Sequence, residues 1–233
     1  MDEQVIAAMA RWPDVPAVYG WLSLSESGLW RLHPKGDALQ RPESSGEEIA
    51  SPQILAFMNR NYAADALGQW YFQNGPQRVY VRLDAAPFIA HTTTDAHSGR
   101  LKLRTHTGQD IREVQALHLD ENGRLFAATD RGAALIAGRD LPALLDSLQP
   151  AAGGATAPLP ADADIHDALA RCLETGTPLL LQSSSVQGFP AQAIPLLSGT
   201  QNALEDTLHF RRHPQPPQGS ANPSQGPDSP VSG

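Results

Sequence analysis

Residues 69–83 carry the pattern that most limits the folds open to this chain. An aromatic and amide-rich run is followed by Asn74-Gly75 and then by a stretch in which apolar and polar side chains alternate. An Asn-Gly pair between two such runs is a strong short-range signal of a β-hairpin. The alternation predicts a strand with one face in the core and with Arg78, Tyr80 and Arg82 on the face that meets water.

Further strands and short helices are predicted around this hairpin. Extended segments bounded by turn residues are expected at 17–24, 29–32, 87–91, 100–104, 114–119, 124–129 and 133–137. Apolar residues at helical spacing predict helices at 2–12, 52–63, 141–148 and 165–176. Together these elements predict an α+β fold of antiparallel sheets that are built from hairpins and flanked by short helices.

Composition divides the chain into four predicted segments. A main α+β domain is expected over residues 1–148, and residues 149–164, rich in Ala, Gly and Pro, are expected to be a flexible linker. A small C-terminal α/β satellite with one helix and a pair of strands is expected at 165–213. Residues 214–233 are mostly Pro, Gly, Ser, Gln and Asn with almost nothing to bury, which predicts a disordered tail.

The charge balance bears on the choice of partners. The chain of 233 residues has 17 Lys and Arg against 25 Asp and Glu, a net charge of −8, which disfavours a chain-wide attraction to nucleic acid or anionic lipid. Basic residues alternate along residues 78–82 and 100–104, and such faces could meet nucleic acid or an acidic protein. The alternative is the ordinary wet side of an antiparallel strand. The acidic total favours that alternative, so nucleic acid is not an expected partner.

The sequence also predicts a location. No segment approaches the roughly 20 consecutive apolar residues that span a bilayer. The acidic N-terminus is not followed by the apolar core of a secretion signal. The single cysteine, Cys172, excludes an internal disulfide and fits a reducing compartment. We therefore expect a soluble cytoplasmic protein without a membrane span.

Two segments of the chain resemble a known family. They are WPDVPAVYGWL at residues 12–22, and NRNYA at 59–63 continuing into WYFQNGPQRVYV at 70–81. Together they resemble an uncharacterised family of proteobacterial proteins, one of the domains of unknown function. The resemblance is strongest over residues 11–83 and extends more loosely to about residue 213, where FRRHP at 210–214 is similar to the family's closing strand. It implies a bacterial origin and a compact domain, and it implies no activity, cofactor or catalytic residue.

Binding-type side chains are most concentrated near the central hairpin. Aromatic rings and amide donors suit a planar ligand, and an arginine can hold a carboxylate or phosphate through its forked donors. The predicted ligand-binding residues are Tyr19, Asn61, Tyr71, Arg78 and Tyr80. The alternative is that these aromatic residues build the core of a small sheet while Asn74-Gly75 makes its turn.

Signatures of catalysis and metal binding are missing from the sequence. It contains no HExxH pair, no paired CxxC, no acidic calcium loop, no phosphate loop and no hydrolase elbow. His209 and His213 have a spacing that brings ligands together only on a helix, whereas 208–211 is predicted as strand or coil. Cys172 lies on the apolar face of a predicted helix, where a buried and inert thiol is usual. No metal and no cofactor are expected.

These observations predict a non-enzymatic binding or protein-interaction module. Its partner would be another protein or a small planar or anionic ligand, and its interaction surface would be an exposed patch within residues 59–82. The alternative is an enzyme with an unrecognised site in the same region. The side chains of that site would converge in one cleft: Tyr19, Asn61, Tyr71, Arg78 and either His91 or His106.

Overall fold

The computed structural model of the protein describes residues 1–151 and 164–217. They form a mixed α+β fold with one six-stranded and one eight-stranded sheet, as the hairpins and short helices predicted. The predicted linker lies outside the described residues over 152–163, and the predicted disordered tail lies outside them over 218–233.

The chain divides into two compact units that differ from the predicted segments. The first unit contains residues 1–25, 29–84 and, in the described part, 211–217. The second contains residues 26–28 and, in the described part, 85–151 and 164–210. The chain therefore leaves the first unit, builds the second, and returns to the first near its C-terminal end.

The first unit holds the six-stranded sheet, in the order β3-β2-β1-β6-β5-β4. Its helices and strands are α1 (Glu3–Arg11), β1 (Val18–Leu24), β2 (Trp30–Leu32), β3 (Glu47–Glu48), α2 (Pro52–Arg60), β4 (Tyr62–Ala64), β5 (Trp70–Asn74) and β6 (Gln77–Leu83). The predicted hairpins β1–β2 and β5–β6 are both antiparallel. Helix α2 ends three residues before its predicted end because Tyr62–Ala64 pairs with β5.

The second unit holds the eight-stranded sheet, in the order β12-β13-β14-β9-β10-β11-β7-β8. Its helices and strands are β7 (Phe88–Thr94), β8 (Leu101–Thr105), β9 (Val114–Leu119), β10 (Leu125–Thr129), β11 (Gly132–Ile136), α3 (Leu141–Leu145), β12 (Gln149–Pro150), α4 (Ile165–Thr175), β13 (Leu179–Gln182), β14 (Ile194–Ser198) and α5 (Gln201–Thr207). A short 3₁₀ helix precedes α3 at Gly138–Asp140. The predicted strand at 208–211 is not formed: residues 208–209, directly after α5, make a turn, and Arg211 forms a single bridge to Gln69.

Parallel strand pairs join the hairpins of both sheets. Strand β1 runs parallel to β6, β7 to β11, and β9 to β14. Parallel neighbours come from segments distant in sequence, so the local turn signals that predict hairpins do not specify them. Because β14 pairs with β9, the segment expected as a C-terminal satellite extends the same sheet as residues 114–136.

The alternation along β6 predicted that the face with Tyr80 and Arg82 meets water, but this face is buried. Tyr80 is only 5% exposed and Arg82 only 3%. The guanidinium of Arg82 donates through Nη1 to the backbone carbonyls of Ala38 at 2.9 Å and Pro42 at 3.1 Å. Its Nη2 pairs with the Asp84 carboxylate at 3.0 Å. The prediction was wrong for Tyr80 and Arg82 because the loop between β2 and β3 covers this face and supplies the acceptors that a buried guanidinium needs.

Candidate functional site

A cavity of about 600 Å³ lies on the covered face of the six-stranded sheet. The sheet contributes Tyr19, Gln73, Arg78 and Tyr80 to its wall. The rest of the wall comes from the end of α1, the segment that follows it, the β5–β6 turn and two prolines near the C-terminal end of the described chain: Met9, Trp12, Pro13, Val15, Pro16, Ala17, Pro76, Pro216 and Pro217. We call this space the tyrosine cavity. Its volume falls within the range of small-molecule sites.

Three tyrosines form one aromatic cluster beside the cavity. The rings of Tyr19 and Tyr80 are stacked, with centroids 4.5 Å apart and planes 4° apart. Tyr71 lies directly opposite Tyr80 in the β5–β6 register, and its ring centroid is 5.6 Å from that of Tyr80. All three tyrosines are buried. The pairing of β1 with β6 thus brings Tyr19 to Tyr80 across many residues of sequence.

The hydroxyl groups of Tyr19 and Tyr80 remain protonated near neutral pH. Burial raises the pKa of Tyr19 well above its ordinary value. Burial also raises the pKa of Tyr80, and the hydrogen bond that its hydroxyl donates to Asp65 Oδ2 at 3.0 Å acts in the same direction. Arg78 opposes that shift without reversing it. Tyr19 and Tyr80 therefore offer aromatic faces and neutral hydroxyls rather than a phenolate base.

Arg78 supplies positive charge at the cavity wall. Its guanidinium carbon lies 4.7 Å from the centroid of the Tyr71 ring, within the range of a cation–π contact. Among residues 1–151 and 164–217, no carboxylate lies within ion-pairing distance of Arg78. A guanidinium oriented by an aromatic ring and without a carboxylate partner is well suited to hold an anionic group.

Gln73 adds a polar group next to Arg78, which it faces directly in the β5–β6 register. Its side chain is fully buried, and its Nε2 donates to the Gly75 carbonyl at 2.9 Å. Because a carbonyl only accepts, this bond fixes the orientation of the amide. Oε1 has no hydrogen-bond partner among the described residues. A buried acceptor without a donor costs about 1–3 kcal/mol.

The C-terminal end of the described chain forms one wall of the tyrosine cavity. The backbone N–H of Arg211 donates to the Gly68 carbonyl at 2.9 Å, and that of Gln215 donates to the Gln69 side-chain oxygen. Pro214 is buried. The first four residues of the predicted tail, 214–217, therefore have a defined place on the first unit.

The structure brings together four of the five predicted ligand-binding residues. The three tyrosines form the aromatic cluster and Arg78 lies over the Tyr71 ring, although Tyr71 and Tyr80 are buried rather than part of the predicted exposed patch. Asn61 does not join them. Its Oδ1 accepts from the Asp2 backbone N–H at 2.8 Å, and its Nδ2 donates to the Phe57 carbonyl at 2.9 Å. Asn61 thus ties the start of α1 to the end of α2.

Sequence reasoning missed Asp65, which orients Tyr80. Asp65 Oδ1 accepts from the backbone N–H groups of Leu67 and Gln69, both at 2.9 Å, while its other oxygen accepts from Tyr80. An aspartate at the start of a turn is an ordinary sequence feature. Nothing local in the sequence signals that its second oxygen reaches a tyrosine of β6.

The histidines are used in several separate arrangements. In the second unit, His91 Nδ1 lies 3.0 Å from Asp140 Oδ2. Burial lowers the pKa of His106 to about 3. His209, beyond α5, has a left-handed backbone with φ 54° and is not on a helix with His213. Within the described parts of the chain, no group of three or more His, Cys, Asp or Glu side chains could hold a metal ion.

The basic residues at 100–104, in and directly before β8, are held by partners within the second unit. Lys102 Nζ and Arg104 Nε lie 3.3 Å and 2.8 Å from the carboxylate of Asp110. Arg100 Nη2 donates to the Val186 carbonyl at 3.0 Å. These side chains therefore connect the strand to its surroundings.

No helix in the described ranges is long and apolar enough to cross a membrane.

The fold and the cavity define a mixed α+β protein with a partly polar, aromatic pocket in its first unit. The chain belongs to the family DUF2944, whose model is described as "Protein of unknown function (DUF2946)" and matches residues 1–215. The predicted membership of an uncharacterised domain-of-unknown-function family is thereby confirmed. No curated protein matches the chain.

Two solved structures show a distant likeness to the chain. One is a DUF1285 family protein from Silicibacter pomeroyi DSS-3, with 18% identity and a TM-score of 0.40 over 60% of this chain and 74% of that one. The other is a DUF1285 family protein from Shewanella baltica OS155, with 11% identity and a TM-score of 0.39 over 55% of this chain and 91% of that one. Similarity at this level assigns no function.

Proposed function

We propose that the protein is a non-enzymatic binding module whose tyrosine cavity holds a small planar ligand with an anionic group. The observation that carries the proposal is Arg78, whose guanidinium lies over the Tyr71 ring and has no carboxylate partner in the described chain. A ligand carboxylate or phosphate would accept the forked hydrogen bonds of this guanidinium.

The surroundings of Arg78 support the planar part of the proposal. Trp12, Tyr19 and Tyr80 give the cavity wall aromatic faces, and prolines add apolar surface. Aromatic residues bind planar rings by stacking and by edge contacts. A ligand donor close to Gln73 would satisfy its buried Oε1. The ligand class that meets these groups is a planar molecule with an acidic group and an N–H or O–H donor.

The enzyme alternative has less support. Of the side chains expected to converge in its cleft, Tyr19 and Arg78 line the tyrosine cavity, whereas Asn61 bonds to Asp2 and Phe57. Burial keeps the hydroxyls of Tyr19 and Tyr80 protonated because it raises the pKa of each. A general base needs a pKa near the working pH. Protonated tyrosine hydroxyls and an arginine side chain are better suited to binding a ligand than to removing a proton from it.

A binding experiment tests the proposal. We would titrate the protein with 4-aminobenzoate and with adenosine monophosphate, two planar anions that carry N–H donors, by isothermal titration calorimetry. Arg78→Gln should weaken binding of the better probe by roughly tenfold or more, because it removes a charge-assisted pair. Arg112→Gln removes an equal charge from an exposed position of the second unit and should have no effect. Equal affinities for the two variants, or no saturable binding of either probe, would overturn the proposal.

We also propose a cytoplasmic location in a bacterium. The resemblance at residues 12–22 and 59–81 supports the bacterial origin. The lone Cys172 is buried, and burial raises the pKa of its thiol, which fits a structural cysteine in a reducing compartment. Fractionation of the native cells followed by immunoblotting tests this location, and recovery in the periplasmic or membrane fraction would contradict it.

A further inference from the structure

The other face of the six-stranded sheet carries an apolar groove of about 670 Å³. The groove lies beside α2 and is lined mainly by hydrophobic side chains from the sheet, the helix and the segment between β3 and α2, including Trp21, Leu32, Ile49, Ile54, Phe72 and Val79. Phe72 and Val79 are direct partners in the β5–β6 register, so the alternation of both strands brings these side chains to the same face. This groove and the tyrosine cavity are therefore on opposite faces of one sheet.

Helix α2 covers only part of this face. Its C-terminal half packs closely: Met58 is 1% exposed, and the ring of Phe57 meets that of Phe72 edge-on with centroids 5.5 Å apart. Its N-terminal half leaves Ile54 51% exposed at the groove. Leu32 of β2 is also exposed. The groove is thus an apolar surface that is closely packed beside the C-terminal half of α2 and open beside its N-terminal half.

An acidic lip borders the groove. Glu47 and Glu48 form β3, the edge strand of the sheet, and both line the groove and are exposed. Arg31 lies opposite Glu48 in the β2–β3 register, yet neither glutamate forms an ion pair within residues 1–151 and 164–217. Two exposed carboxylates beside an apolar surface call for a partner that is both apolar and cationic.

We propose that this groove binds an amphipathic helix of another protein, with apolar residues at i, i+3 or i+4, and i+7 and with Lys or Arg along one flank. The apolar residues would cover Leu32 and Ile54, and the cations would face Glu47 and Glu48. Helix-in-groove binding of this kind uses such spaced anchors. The inference concerns the face opposite the tyrosine cavity and does not rest on the ligand proposed for that cavity.

Other occupants fit the groove less well. The chain's own segments 152–163 and 218–233 contain no Lys or Arg, so neither could neutralise the acidic lip. An added strand is disfavoured because β3 has only two residues and both are charged, which is the usual protection of a sheet edge. A second copy of the protein could offer helix α1 to the groove. That helix carries one acidic and one basic residue, Glu3 and Arg11, so it has no cationic flank.

A pair of synthetic peptides tests the proposal directly. The probe is a fluorescein-labelled 14-residue helix of Leu and Lys in amphipathic order, and its control has Glu in place of every Lys. Fluorescence anisotropy should show saturable binding of the Leu/Lys peptide and at least roughly tenfold weaker binding of the Leu/Glu peptide. Binding of the Leu/Lys peptide should weaken with added salt, because the contact between exposed charges is screened.

Variants locate the binding on the groove. Ile54→Gln should weaken Leu/Lys binding by roughly tenfold because it removes an apolar anchor. Leu67→Gln changes an apolar side chain that is 71% exposed and lies outside the groove, and it should have no effect. The double variant Glu47→Gln, Glu48→Gln should weaken binding and flatten its salt dependence. Each substituted side chain is exposed, so unchanged melting temperatures should verify that folding is intact.

Several results would overturn the inference. They are the absence of saturable Leu/Lys binding, equal binding of the two peptides, or equal losses in Ile54→Gln and Leu67→Gln. Sedimentation analysis adds a further test: a dimer that Ile54→Gln converts to a monomer would make a second copy the occupant and would refute the proposed partner. Arg78→Gln should leave Leu/Lys binding unchanged, so failure at this groove is distinguishable from failure at the tyrosine cavity.

Discussion

The ring of Tyr19 lies parallel to that of Tyr80, with centroids 4.5 Å apart and planes 4° apart. The contact exists because β1 runs parallel to β6, with Val18 opposite Val79. It places an aromatic pair at the centre of the first unit, next to Arg78 and the tyrosine cavity. The stack therefore couples the integrity of this sheet to the shape of the proposed binding site.

The hydroxyl of Tyr80 should contribute to stability. Tyr80→Phe removes the hydrogen bond to Asp65 Oδ2 and should lower the free energy of unfolding by about 0.5–1.5 kcal/mol. Tyr71→Phe keeps the ring that lies under Arg78 and should cost less, because no hydrogen bond is found for its hydroxyl in the described part of the chain. Urea unfolding of both variants measures the difference. A loss in Tyr71→Phe as large as that in Tyr80→Phe would contradict this account.

Arg82 should be a strong determinant of folding. Arg82→Met leaves the carbonyls of Ala38 and Pro42 and the Asp84 carboxylate without their donor, so we expect a loss of more than about 2 kcal/mol. Arg41→Met removes an arginine whose side chain is 58% exposed and should have little effect. Chemical denaturation of the two variants provides the comparison. Similar midpoints would show that the buried guanidinium does not organise the covering loop.

Gly20 should tolerate no side chain. Its φ is 83°, and a Cβ at this position would lie 2.2 Å from the Gly36 carbonyl oxygen. Gly20→Ala must therefore displace the loop over the sheet as well as strain the backbone. Gly75→Ala, at φ 57° with no atom within 4 Å of the added Cβ, isolates the backbone strain of about 1–2 kcal/mol. In thermal unfolding, the melting temperature of Gly20→Ala should be well below that of Gly75→Ala, and the reverse order would refute the steric argument.

His106 should make the protein less stable in acid. Burial lowers its pKa from 6.5 to about 3 in the folded state, so between these values the unfolded chain holds a proton that the folded chain does not. Stability therefore falls as pH falls through this window, with a slope of up to about 1.4 kcal/mol per pH unit from this group. Urea unfolding at several pH values between 4 and 7 measures the slope.

A variant isolates the histidine from the other acidic transitions. His106→Asn retains a polar side chain near the Ile89 N–H that His106 Nδ1 accepts, and it should flatten the pH dependence. His97→Asn alters an exposed histidine and should leave the slope as it is in the native protein. A slope that is the same in all three proteins would assign the acid sensitivity to other groups.

Local signals in the sequence predicted the hairpins but not the way in which they join. Asn74-Gly75 predicts a turn at this point, and the observed β5–β6 turn consists of Gly75 and Pro76, in which Gly75 has the positive φ that glycine accepts most readily. Nothing near Val18 indicates that it pairs with Val79, because that pairing depends on how the whole unit packs. The same limit explains the error at Arg82, whose acceptors come from a loop about forty residues earlier in the chain.

The candidate site was accessible to sequence reasoning where its residues share neighbouring strands. Tyr71 and Arg78 belong to one hairpin, so their proximity followed from the predicted turn. The roles of Asp65 and of residues 214–217 depend on contacts made only in the folded unit. The residue type of Asn61 suits ligand binding, but an amide side chain at a helix end can also bond to groups of the protein itself. Asn61 does so, since it bonds to the backbone of Asp2 and Phe57.

The return of the chain to the first unit has a consequence for biosynthesis. Leu83 donates its backbone N–H to the Arg212 carbonyl, and Arg211 donates its own to the Gly68 carbonyl, both at 2.9 Å. Because a ribosome makes the chain from its N-terminus, these bonds form only after all of the second unit has been synthesised. An unfinished first unit therefore persists while the second unit is being made, and the wall that residues 214–217 give to the tyrosine cavity is added only after that unit.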